Sequence, residues 1–274
     1  MAGPDPATLS PALLRGWPLP DLAEDGDKRE RGTVLVVGGE LSTPGAVLLA
    51  GLAALRAGAG RLQVATVPET AVAVGVALPE SKCVGRPLDE LGGVELDGVD
   101  AVLVGPGLLT AEDAGLVLGK LLPRLEGRPL VVDAIALGAL EGPLDGPAVL
   151  TPNAGELRAL ADADGSDLRR LALKVSGERG ATVVTQGWVA SPDGRAWRND
   201  AGSVGLATSG SGDVLAGIVL GLLGRGAEPA QAGCWAGWLH SAAGDRLSAT
   251  LGRTGFLARE LLDAVPAELR ALTG

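Results

Sequence analysis

The sequence has no tyrosine, one phenylalanine, one histidine and two cysteines among its 274 residues. A lone histidine rules out any centre built on several imidazoles. Cys83 and Cys234 do not form a Cys-x-x-Cys pair, so neither a Cys/His zinc site nor a disulfide scaffold is available. Positive charge is also scarce: 23 Lys and Arg face 33 Asp and Glu, and no basic stripe alternates with aromatics. A nucleic-acid partner is therefore not expected. Apolar runs such as 214–224 stop well short of the roughly 20 residues that span a bilayer. The first 27 residues, rich in Pro, Asp and Ala, lack the basic and apolar blocks of a secretory signal. These absences leave a cytoplasmic enzyme with a small-molecule substrate as the expectation, with no membrane partner.

Small and apolar residues are plentiful. Hydrophobic content of 46% with 20% charged residues suits a soluble globular chain, and the 43 glycines follow no every-third-residue period, which excludes collagen. The β-branched run TVLVVG at 33–38 reads as a buried strand, followed by a helix over 44–57 and a strand at 61–67. The rhythm recurs with strands at 101–105, 129–133, 148–151 and 181–185, and helices at 111–125, 154–162 and 166–176. Residues 188–198 read as a hairpin turning at Pro192-Asp193-Gly194, and the last third as helices at 213–224, 229–243 and 256–264. Alternating strands and helices predict an α/β fold with a mostly parallel sheet covered on both faces.

The sharpest chemical feature is Thr208-Ser209-Gly210-Ser211-Gly212-Asp213. Two glycines one residue apart let backbone N–H groups converge where a helix begins, a setting that favours an anion. Asp213 in the first turn is placed either to take a proton from a hydroxyl near that anion or simply to cap the helix. Neither a Walker loop nor a Gly-x-Gly-x-x-Gly fingerprint is present. Asp133, Asn153 with Glu156, and Thr185 with Gln186 follow strands, where open parallel sheets gather ligands. Asn153 and Glu156, three apart, suit either a hydrated magnesium ion or a helix cap pair. Gly105-Pro106-Gly107 suits either a close ligand approach or an ordinary turn. His240, beside Trp238 and Leu239, reads as a core or interface residue.

Taken in order, 32-GTVLVVGGELSTPGAVLLAGLAALRAGAGRLQVAT-66, 101-AVLVGPGL-108, 130-LVVDAIAL-137, 150-LTPNAGEL-157 and 205-GLATSGSGDVLAGIVLGLLGRG-226 resemble the ADP/ATP-dependent NAD(P)H-hydrate dehydratases of the ribokinase-like superfamily. The resemblance spans about 28 to 264. It implies a ribokinase-like three-layer α/β/α sandwich forming a single catalytic domain over 28–274. Residues 1–27 are then an N-terminal extension, either partly disordered or packed as an extra helix. The implied reaction repairs the (6S) hydrate of NADH or NADPH. Here ADP (or ATP) with Mg2+ drives loss of water, and ADP, the usual bacterial donor, gives AMP and phosphate.

By the same resemblance Asp213 is the catalytic base, and Gly210, Ser211 and Gly212 form the anion hole. Gln186 and Gly187 join them against the nucleotide. Ala46, Gly107 and Asn153, with Asp213, line the substrate pocket, while Asn153 and Glu156 meet the metal through water or phosphate. A homo-oligomer, often a tetramer in this family, and an NAD(P)HX epimerase as functional partner are also implied. The chain departs from the family pattern in four places. It has Asn153 for a histidine, Gln186 for a lysine, Ile135 for the second aspartate of Asp-Ala-Asp-Ala-Leu, and no tyrosine near Pro44. Thr151-Pro152-Asn153-x-x-Glu156 also resembles the hydroxymethylpyrimidine and pyridoxal kinases of the superfamily. A small-molecule kinase and a catalytically degenerate homologue are the alternative readings.

Overall fold

Short apolar strands separated by helices assemble into a mostly parallel sheet, described in a computed structural model over residues 6–21 and 31–274. The first elements are β1 (Ala7–Thr8), α1 (Pro11–Arg15), β2 (Thr33–Val37), α2 (Pro44–Arg56), β3 (Arg61–Thr66), α3 (Pro68–Ala77) and β4 (Ser81–Gly85). Next come β5 (Ala101–Val104), α4 (Ala111–Leu121), β6 (Leu130–Val132), β7 (Ala148–Leu150), α5 (Ala154–Ala161) and α6 (Leu168–Arg179). The chain continues through β8 (Thr182–Thr185), β9 (Trp188–Ala190), β10 (Ala196–Arg198), α7 (Ser211–Gly224), α8 (Pro229–Leu251) and α9 (Ala258–Thr273). Of the expected N-terminal extension, 1–5 and 22–27 lie outside the described residues. Its middle supplies β1 and α1, with β1 parallel to β10.

The strand order is β1-β10-β9-β8-β7-β6-β5-β2-β3-β4. Every pairing from β8 across to β4 is parallel, and only the hairpin strand β9 runs against its neighbours. Successive side chains leave a strand on opposite faces. Val34 and Val36 accordingly join the core beneath α1, α2, α3, α7, α8 and α9, while Leu35 and Val37 join the one beneath α4, α5 and α6. The result is a three-layer α/β/α sandwich. Among the described residues no helix is long and apolar enough to cross a membrane.

Two packing details position the functional end. The chain leaves β2 toward β3 and returns on the other side of β2 as β5, so the strand order reverses there and opens a crevice. Gly39 N–H donates to Pro106 O at 2.9 Å across that crevice, and a side chain on Gly38 would begin 2.2 Å from the same oxygen. Helix α7 meets α2 backbone to backbone. A Cβ on Gly217 would lie 2.2 Å from Ala50 O, and one on Gly221 2.4 Å from Ala54 O. Small residues on both helices allow this approach, which fixes where α7 starts.

Candidate active site

The turn at 208–213 begins α7 with Gly210 in the left-handed region, at φ 87°, in the cap position. A side chain there would begin 2.5 Å from Leu49 Cδ1, so glycine is required twice over. No side chain caps the helix. Ser211 N–H donates to Thr208 O, while among the described residues the N–H groups of Gly212 and Asp213 have no acceptor. Open N–H groups at a helix N-terminus attract an anion. Asp213 sits in this first turn, half-buried and without a hydrogen-bond partner among the described residues, and burial pushes its pKa up to about 6. A capping carboxylate would bind its own helix's N–H groups. Asp213 does not, so its oxygens are left for a ligand.

Other strand-end residues gather beside it. Asp133, after β6, is buried and accepts a hydrogen bond from Thr151 Oγ1 at 2.7 Å. Burial drives its pKa up to about 7, against the Thr151 bond that lowers it, and the negative charges of Asp213 and Glu156 add to the rise. The backbone turns tightly there: Ala134 has φ 53°, and a Cβ on Gly105 would lie 2.0 Å from Asp133 O.

Ala46 and Gly107 are neighbours, since a Cβ on Gly107 would stand 3.2 Å from Ala46 Cβ. Gly107 O accepts from Thr43 Oγ1 at 2.7 Å and from Glu40 N–H at 2.9 Å, which ties the β5 turn to the start of α2. Leu49, the next apolar residue along α2 on that side, touches Gly210. One helix therefore reaches from the Gly107 turn to the anion turn.

Asn153 and Glu156 form a reciprocal capping box on α5. Asn153 Oδ1 accepts from Gly155 N–H at 2.8 Å and Glu156 N–H at 3.0 Å, and Glu156 Oε2 accepts from Asn153 N–H at 2.9 Å. The cap pair is thus what the structure shows. Among the described residues no group of three His, Cys, Asp or Glu side chains is placed to hold a metal ion directly.

Gln186 is exposed after β8, and Gly187 turns the chain at φ 75°. No hydrogen bond among the described residues joins this pair directly to the anion turn. Their link runs through Asn199, whose N–H donates to Gly187 O and whose Nδ2 donates to Gly237 O and Ser241 Oγ on α8. Beside them Thr185 Oγ1 is buried with no partner among the described residues, a hydroxyl that a bound polar group would satisfy. His240, read from sequence as a core residue, is buried, but its Nε2 lies 2.9 Å from Ser211 Oγ. Sequence gives no sign of this bond, because 29 residues separate the partners. The Asp133–Thr151 pair was hidden for the same reason, although each residue visibly ends a strand.

Comparison with known proteins identifies the family. The sequence profile of the NAD(P)H-hydrate dehydratase family matches residues 34–267. The ADP-dependent (S)-NAD(P)H-hydrate dehydratase of Xanthomonas campestris pv. campestris is 40% identical, with 99% of each chain covered. The bifunctional NAD(P)H-hydrate repair enzyme Nnr of Moorella thermoacetica is 37% identical over 93% of this chain, which spans 52% of that relative. The crystal structure of the Bacillus subtilis ADP/ATP-dependent NAD(P)H-hydrate dehydratase, co-crystallised with ATP/Mg2+, superimposes with a TM-score of 0.89. It is 28% identical and covers 98% of this chain and 100% of its own. The sandwich is the ribokinase-like one that the sequence resemblance implies. With its profile match over most of the length and a relative alike from end to end, this chain belongs to the NAD(P)H-hydrate dehydratase family.

Proposed function

We infer that the protein is an ADP-dependent (S)-NAD(P)H-hydrate dehydratase, returning hydrated NADH or NADPH to the intact cofactor. The observation that carries the reading is a half-buried Asp213 carboxylate, without a partner among the described residues, in the first turn of a helix whose N-terminus no side chain caps. Asp213 takes the proton of the ring hydroxyl, whose oxygen attacks the terminal phosphorus of ADP. The phosphorus–oxygen bond to AMP breaks as the new one forms, and the N–H groups of Gly212 and Asp213 meet the developing charge. The ring nitrogen's electrons then expel phosphate, and loss of a proton from the neighbouring carbon restores the dihydronicotinamide.

Ala46 and Gly107 leave room for the hydrate because neither carries a bulky side chain, and Asn153 offers its amide Nδ2 to the same ligand. Gln186 and Gly187, with the Thr185 hydroxyl that has no partner among the described residues, are suited to the nucleotide. Magnesium neutralises phosphate charge when bound. The committed capping box leaves Asn153 and Glu156 to reach it only through water or phosphate. We take the protein to act in the cytoplasm as a homo-oligomer, with an NAD(P)HX epimerase as functional partner. The bifunctional Moorella relative, about twice as long, supports that last link.

The test is the rise in absorbance at 340 nm when the protein meets NADHX, magnesium and ADP, ATP or neither. Nucleotide-dependent recovery is expected, reduced by about 10²–10⁴-fold in Asp213→Asn while nucleotide binding persists. Nucleotide binding without recovery, or a phosphorylated product that accumulates, would overturn the reading.

A further inference from the structure

His240 is a buried titratable group that the reaction scheme leaves unused and that touches the anion turn itself. It is the only histidine of the chain and lies on α8, with Nε2 2.9 Å from Ser211 Oγ and 3.0 Å from Ser211 O. A carbonyl oxygen only accepts, so a ring nitrogen at that distance is bound to it through its own hydrogen. Nε2 therefore carries the proton and shares it between the carbonyl and hydroxyl oxygens of Ser211. Burial holds the ring neutral, with its pKa lowered to about 4. An imidazole costs more to bury than a leucine of similar bulk, so packing alone does not explain it.

Resting on the function proposed above, we propose that His240 is a positioning residue for the anion turn. In its Nε2–H tautomer it pins Ser211, so that the N–H groups and carboxylate of the following two residues keep fixed directions toward the phosphoryl group. Ser211 is the one residue with a side chain between two glycines, and glycine backbones wander when nothing holds them. The close backbone seam with α2 at Gly217 lies more than a turn further on. Among the described residues the ring makes the only side-chain hydrogen bonds to that first turn. Donors aimed in advance stabilise developing charge without reorganisation, which is what the anchor secures.

Two measurements test this. A single histidine gives one set of imidazole signals in ¹⁵N-histidine-labelled protein, so the tautomer is read without any substitution. The Nε2–H form is expected, neutral from pH 8 down to about 5, with signals that move when ADP and magnesium are added. In kinetics, His240→Leu is expected to lower kcat about tenfold or more, with the KM for the hydrate nearly unchanged and the acid limb of the pH profile in place. His240→Gln, whose side-chain N–H reaches to a similar point, is expected to recover most of the loss. An Nδ1–H tautomer overturns the proposal even if the leucine variant does not fold. So does a folded leucine variant with wild-type kcat, a glutamine variant as slow as leucine, or an acid limb that moves, since the ring would then exchange protons itself. Wild-type protein inert toward hydrate and nucleotide counts instead against the proposed function, and the tautomer measurement still stands.

Discussion

Asp213 and Asp133 are both carboxylates that burial pushes upward, yet they serve different ends. A base works only when unprotonated, so with a pKa of about 6 for Asp213, kcat/KM of the free protein is expected to fall below that pH with a midpoint near 6. Initial rates of 340 nm recovery across pH 5–8 would locate it, and a midpoint near 4 would contradict the burial seen here. Asp133 is expected to show itself in stability. Unfolded, it titrates near 3.8, and folded at about 7, so the folded state binds the extra proton between those values. The stability this gives is complete below pH 4 and is lost as the pH rises through 7. Asp133→Asn keeps an acceptor for Thr151 and has no charge to bury. Relative to wild type it should gain nothing at pH 4 and on the order of a few kcal/mol at pH 8, read by urea denaturation at each pH.

At the scale of elements, the seam between α2 and α7 decides where the chemistry stands. Gly217→Val sets a branched side chain against the Ala50 carbonyl, where even a Cβ begins at 2.2 Å. The helices must part, at about 3 kcal/mol or more, and the fraction still folded should turn over more slowly than wild type because the anion turn moves with α7. Denaturation and kcat together check this; unchanged kcat would mean that the turn is held independently of the seam. The seam's glycines were readable only as helix residues, because their partners lie on a helix more than 150 residues earlier in the chain. Strands β2, β3, β5, β6, β7 and β8 and the β9–β10 hairpin were plain in the sequence, since β-branched runs bounded by turns carry their own signal. The stretch 68–85 was not. Helix α3 leaves Val72 and Val76 exposed, so it lacks the one-sided apolar stripe that marks a helix, and β4 is a short edge strand with mixed residues. Helix α8 runs eight residues past the expected end at 243, straight through Gly244, which is buried inside the helix rather than ending it, and stops only at Gly252. In the site, Asp213 was legible from the glycines beside it, while Ser211–His240 and Asp133–Thr151 exist only once the sheet and its covering helices have formed.

Across the whole molecule, the N-terminal segment acts as a clasp rather than an appendage. Leu9 and Leu14 are in the core, Trp17 stacks on Trp197, and Trp17 O accepts from Trp235 Nε1 at 3.0 Å. Gln231 Nε2 donates to Pro18 O at 2.8 Å, and Arg15 reaches Ala271 O on α9. Removing residues 1–20 would strip three buried leucines, Leu9, Leu14 and Leu19, at about 1.5–3 kcal/mol each and leave the Trp235 and Gln231 donors unmet. The melting temperature is expected to drop by roughly 10 °C or more. A truncated protein that melts with wild type would show that the clasp adds nothing.

The same clasp sets an order in time. Trp17 leaves the ribosome 218 residues before the tryptophan it binds. At roughly 5–20 residues per second that is a wait of about 10–40 s, during which Leu9 and Leu14 have no native place to go. The strands from β2 to β8 can pair as they emerge, but the edge of the sheet closes only when β10 and α8 are made. This early-made segment is thus among the last to find its position, and until then its apolar side chains are open to a chaperone or to a neighbouring chain.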